Sequence, residues 1–333
     1  MILKFTNHKH FFGKIFFSVL LSLLFTSCFL SEKQRLKKER EYYSHITPPG
    51  CIKVGDNLFY DATESRNLDW LEYMYWTRRV FGLTSEEYKS TIPDTNTWVK
   101  KYPCLNFFQE KSIHRNDTIY YNLSFTMMYL RHPQYRSYPV VGITQAQAEN
   151  YAEWRSDRVF EYILVKYDKI KINLAQNKSN YFTIENYYKG LYNGYKPDSN
   201  FRYYPEYRLP TVKEWRYAMN YTDSVDKKYY KKHPKRKCTD CKTEWADFQS
   251  DIIPCVEDTF KNYPTVPVTS FKGSPFYNLR GNVSEWTSEK DICVGGGWAD
   301  SKEIILANNT FLLTSQNAWT GFRNVCEWKK WGK

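Results

Sequence analysis

"LRGNVSEWTSEKDICVGGGWAD", Leu279 to Asp300, holds a Gly-Asn turn, a carboxylate, two tryptophans, a cysteine and three consecutive glycines. In its first half, Gly281 permits the turn, Asn282 can bond backbone groups, and Trp286 fills a core. "ICVGGGW" and, further on, "TGFRNVCEW" read as short strands beside glycine turns. In the latter, Phe322 buries and Arg323 can reach a buried carboxylate or backbone carbonyls. These are scaffold roles. The same stretch also has the ingredients of an active site: a thiol, a carboxylate and a tight backbone.

Upstream, two segments carry helix-start signals. "ITQAQAENYAEWRSDRVFEYILVKY" opens with Thr144 as N-cap and Gln147 three residues on, a capping box. Ala148, Tyr151, Ala152, Val159 and Ile163 follow at helical spacing. "LPTVKEWRYAMNY" repeats the device with Thr211 and Glu214, and Trp215 and Ala218 form its buried stripe. Arg208, just ahead, can pair with a carboxylate. Residues 173–208 between the two helices are polar, Tyr-rich and punctuated by Gly, Pro and Asn. They read as irregular surface, serving either protein contacts or as a lid on their own domain. "TVPVTSF", Thr265 to Phe271, alternates like a strand. Two main helices with many short strands and long loops give an α+β fold.

The chain has 333 residues, 42% of them hydrophobic and 18% aromatic, with 29 Tyr and 11 Trp. That predicts aromatic packing rather than a Leu-rich bundle. The formal charge of +12 fits nucleic acid, an anionic envelope surface or simple solubility. No nucleic-acid motif is present. The N-terminus is basic, then carries "IFFSVLLSLLF", the length of a signal h-region and short for a span. Thr26 and Ser27 before Cys28 look like a bacterial lipoprotein cleavage site. Residues 1–27 therefore read as a signal peptide, Cys28 as the lipidated residue, 28–47 as a charged tether, and 48–333 as one domain. Lipidation means anchored, not spanning. Seven cysteines remain of the eight, so at least one is free or pairs outside the chain. Cys238 and Cys241 have CxxC spacing, but without a histidine set they read as half-cystines bound to separate partners rather than as zinc ligands.

Four blocks, in order, resemble the formylglycine-generating enzyme or sulfatase-modifying factor family: "FYDATESRNLDWLEYMYW", "YPVVGITQAQAENYAEW", "YRLPTVKEWRYA", and "NLRGNVSEWT" with "GGGW" and "GFR". The resemblance implies the formylglycine-generating-enzyme fold, a C-type-lectin-like variant of α+β. It also implies structural calcium. One set, Asn278, Gly281, Val283 and Glu285, would supply hard oxygen ligands. A second would use Asp247, Phe248, Asp258 and Phe260. The family's enzymes oxidise a substrate cysteine with a copper-binding pair of thiolates, which suit Cu(I). Alignment on "GGGW" places Asp300 and Ile305 at those two positions, and neither replaces a thiolate. Cys293 and Cys326 lie elsewhere. A related branch uses histidine-held iron, but His45, His114, His132 and His233 form no ligand set. Neither copper nor iron is expected.

The phrase "RHPQYRSYPVVGIT", with the lipoprotein signal, resembles the gliding-motility lipoproteins of Bacteroidota, which belong to type IX secretion. The resemblance implies a non-catalytic lipoprotein on the periplasmic face of the outer membrane, assembled with other envelope proteins and binding no nucleic acid. The alternatives are an oxidase of envelope proteins and a calcium-dependent carbohydrate-binding module. "DTI" and "DSV" resemble that group's O-glycosylation pattern, making Thr118 and Ser224 candidate acceptors.

Overall fold

The first long helix, α1 (Asn67–Phe81), starts without a serine or threonine cap. Arg66 takes that place. Its backbone N–H and guanidinium bond the carboxylate of Asp69 at 2.5–3.0 Å, satisfying a backbone donor and placing a negative charge in the first turn. The sequence reading expected two main helices, and α1 is a third. Helix α2 (Gln145–Lys166) starts as its capping box predicts: Gln147 N donates to Thr144 Oγ1 at 3.1 Å and Thr144 N to Gln147 Oε1 at 2.8 Å. Helix α3 (Val212–Lys232) starts the same way, with Glu214 N to Thr211 Oγ1 at 3.1 Å and Thr211 N to Glu214 Oε2 at 2.8 Å.

The structure is a computed structural model that describes residues 43, 46–98, 108–114, 117–123, 125–199, 201–232, 265–270 and 275–332. The chain divides into a short unit, 1–46, and a large one, 47–333, which holds every element named here. One antiparallel sheet runs in the order β1 (Cys51–Lys53), β2 (Phe59–Asp61), β10 (Val325–Lys330), β5 (Tyr203–Arg208). The C-terminal strand β10 pairs along β5 from Val325 opposite Arg208 to Lys330 opposite Tyr203. A hairpin joins β3 (Phe108–His114) to β4 (Asp117–Leu123). The second four-stranded sheet is built around the quoted stretch, in the order β8 (Thr310–Leu312), β7 (Ile292–Val294), β6 (Ser284–Trp286), β9 (Thr320–Gly321). Its β6–β9 pair is parallel.

The core sits where α1, α2 and the second sheet meet. Trp70, Tyr73 and Met74 of α1, Ala148 and Tyr151 of α2, and Trp286, Cys293 and Phe322 pack as one cluster. Trp70 stacks on Tyr151 and meets Phe322 edge-on, the offset geometries aromatic rings prefer. Trp70 and Trp286 keep their ring N–H groups satisfied on Thr91 O and Ile143 O, at 2.9 and 3.1 Å. A neighbouring cluster holds Trp215 and Ala218 of α3 against Tyr60, Val294 and Val325.

Two sequence expectations change. Among the described residues, 265–270 pair with no strand. Val266 N donates to Asn282 Oδ1 at 3.0 Å and Val268 N to Ser137 O at 2.9 Å. Asparagine side chains and the Ser137 carbonyl thus replace a neighbouring strand as partners. Residues 173–208 are not only surface: Phe182, Ile184, Tyr187 and Tyr192 pack on Phe160 and Leu164 of α2. Arg158 ties that layer down by donating to Phe182 O and, at 3.2 Å, to Gln176 Oε1. The segment packs on its own domain.

Candidate functional site

The quoted stretch folds around a buried guanidinium. Arg323, in the turn between β9 and β10, and Glu285, on β6, are both wholly buried and meet at 2.6 Å. Arg323 Nη2 also donates to Tyr277 O and Asn278 O at 2.9 and 3.2 Å. A second carboxylate completes the cluster. Glu64, from the loop before α1, lies 3.9 Å from Arg323. It accepts from Asn282 Nδ2 at 2.9 Å and from Asn278 Nδ2 at 3.2 Å. Asn278, Gly281 and Asn282 all take positive φ, at 47°, 78° and 59°, the region asparagine and glycine tolerate best. That backbone aims both asparagine side chains inward.

The cluster holds two carboxylates against one cation. Burial pushes the Glu64 carboxyl up to about 8, opposed by Arg323 and reinforced by Glu285. Burial also raises Glu285, with Arg323 pulling the other way. Burial works against the charge of Arg323, but Glu285 and Glu64 outweigh it and hold it protonated.

Of the expected first calcium set, Asn278 and Glu285 converge on the same guanidinium nitrogen. Asn278 Oδ1 and Glu285 Oε2 are buried and have no hydrogen-bond partner among the described residues. Orphaned buried oxygens are costly, and hard oxygen donors are what calcium takes. The set offers calcium two hard oxygens, with the guanidinium of Arg323 on one side and Glu64, its carboxyl raised by burial, on the other. The second set, Asp247, Phe248, Asp258 and Phe260, lies outside the described residues, as do Cys28, Cys104, Cys238, Cys241 and Cys255.

The two family thiolate positions have other duties. Asp300 Oδ2 accepts from Gly297 N at 2.7 Å and so closes the glycine turn. Ile305, in the short helix Lys302–Leu306, is wholly buried and lies against Gly296. The described cysteines, Cys51, Cys293 and Cys326, are buried free thiols. Burial, with Asp300 nearby, pushes Cys293 up to about 12. Burial likewise raises Cys51 and Cys326. All three are protonated at neutral pH and poor thiolate ligands. His132 caps a 3-10 turn, its Nδ1 accepting from Gln134 N at 3.3 Å. Among the described residues no group of three His, Cys, Asp or Glu is placed to hold a metal.

Of the glycosylation candidates, Thr118 sits on β4 opposite Ile113. Ser224 is exposed inside α3, with its hydroxyl donating to Tyr221 O at 2.9 Å. Sequence reasoning missed Glu64, although it is the one carboxylate of "ATESRN". It also missed Asp61, which pairs with Arg155 at 2.6 Å and accepts from Asn324 N at 3.0 Å. Their partners lie so far along the chain that no local pattern reveals them.

The sequence profile described as "Sulfatase-modifying factor enzyme 1-like domain" matches residues 72–328. No curated protein matches the chain. Among solved structures, one titled "Crystal Structure of CarF" is 13% identical, over 81% of this chain and 86% of that chain, with a TM-score of 0.37.

Proposed function

The chain belongs to the family of sulfatase-modifying factor enzyme 1-like domains, and from that premise we propose a lipid-anchored envelope protein that uses the fold for assembly rather than oxidation. The observation that carries this reading is the pair Asp300 and Ile305. Where the family's enzymes place copper-binding thiolates, one side chain closes a backbone turn and the other fills the core. A carboxylate and a hydrocarbon cannot supply the soft donors that Cu(I) requires.

The resemblance of Arg131–Thr144 to gliding-motility lipoproteins, together with the leader ending at Cys28, supports a place in type IX secretion at the periplasmic face of the outer membrane. Among the described residues no helix is long and apolar enough to cross a membrane. Calcium, when bound, supplies positive charge and a rigid brace. Asn278 and Glu285 would hold it with their side-chain oxygens, and Gly281 and Val283 with their carbonyls. Asn278 and Glu285 are 5% and 0% exposed, so such a calcium would not be open to sugar hydroxyls.

Co-purification from detergent-solubilised membranes tests the reading. It predicts stable envelope partners recovered in fixed ratio. A solitary monomer would contradict it.

A further inference from the structure

A cleft of about 670 Å³ opens between α2, the segment 181–186 and β5, away from the Arg323 cluster and from Asp300. Its size is that of a ligand site. Glu149, Glu153 and Asp157 line it from α2, spaced four residues apart on one helix face. Like charges at that spacing destabilise a helix unless something opposes them. Among the described residues no cation is paired with Glu149 or Glu153. Asp157 accepts from Ile184 N at 2.8 Å, and burial pushes it up to about 7. Glu185 and Glu206 add to the lining, each with one exposed lysine partner, Lys189 and Lys329. The one arginine of the lining, Arg208, is already engaged by Glu214 and Glu327. A chain of formal charge +12 therefore carries an acidic cleft.

The other wall is aromatic. Tyr181, Tyr204 and Trp331 line it. Trp331 is held in place: its backbone N–H donates to Arg202 O at 3.0 Å, and its ring stacks on Tyr188 at 4.8 Å. It is nevertheless 36% exposed. A fixed, part-open tryptophan lining the same cleft as uncompensated carboxylates supplies the two elements that recognise an organic cation, negative charge and a π-face.

We propose that this cleft holds a lysine or arginine side chain of a peptide segment from a protein partner. The proposal rests on the assembly reading in giving the partner a chemistry. Its test is separate, because co-purification can succeed with the cleft vacant.

Fluorescence anisotropy of a labelled short Lys/Arg-containing peptide, titrated with the full chain, tests it. The controls are the same peptide with acetyl-lysine and citrulline, and spermidine as competitor. The charged peptide should bind and the neutral one should not. E149Q/E153Q, at exposed positions that do not threaten folding, should weaken binding about tenfold. Trp331→Ala should weaken it about fivefold. No binding, or equal binding by the wild type and E149Q/E153Q, would overturn the proposal. Spermidine binding more tightly than the peptide would assign the cleft to free polyamines and overturn the peptide reading.

Discussion

Arg323 and Glu285 form a wholly buried ion pair at 2.6 Å that ties the turn between β9 and β10 to strand β6. Removing one partner of such a pair leaves the other charge stranded in a low dielectric. Arg323→Met should cost about 3–5 kcal/mol in chemical denaturation. Glu285→Gln added to it should recover part of the loss. An additive double variant would show that the two residues are not coupled.

Glu64 predicts a pH dependence. Its folded carboxyl is raised to about 8 from the ordinary 4.5. The folded state therefore holds the proton more tightly than the unfolded state. Its contribution to stability is full below about pH 4.5 and is lost as pH rises through 8. In chelator, the unfolding midpoint should fall between pH 5 and 8.5, and Glu64→Gln should flatten that slope. An unchanged slope in the variant would assign the titration to another group.

Much of this architecture was legible in the sequence, and the parts that were not share a physical cause. The caps at Thr144 and Thr211 are local, so three residues announce each helix. Arg323 was readable as a buried cation because "GFR" sets an arginine among apolar residues. Helix α1 escaped because Arg66 does the capping that serine or threonine usually does. Residues 265–270 misled because their alternation matches a strand while their partners are the side chains of Asn278 and Asn282 and the carbonyl of Ser137. Glu64 escaped because its partners lie more than 200 residues away, at separations of 214 and 218.

The glycine turn leaves no room for a side chain. A Cβ at Gly297 would meet Trp319 O at 2.5 Å and Ser284 N at 3.1 Å. Those neighbours are backbone of the sheet and cannot swing aside. Gly297→Ala should cost about 1–3 kcal/mol, read by thermal and chemical unfolding. A variant as stable as the wild type would show that the turn is looser than described.

Calcium should behave as a ligand of the native state. At a concentration one hundred times its dissociation constant it would add about 2.7 kcal/mol. Chelation should lower the unfolding midpoint by several degrees, and Glu285→Gln should abolish the difference between calcium and chelator. Equal midpoints for the wild type with and without calcium would leave Asn278 Oδ1 and Glu285 Oε2 without the ion proposed for them.

We propose that this fold is kept without thiolate oxidation. The most direct test is incubation of the full-length protein with copper, oxygen and a cysteine-containing peptide, with trapping of any aldehyde formed. No aldehyde should appear above the level given by copper alone. Formation of a peptide aldehyde that depends on the protein would contradict the account.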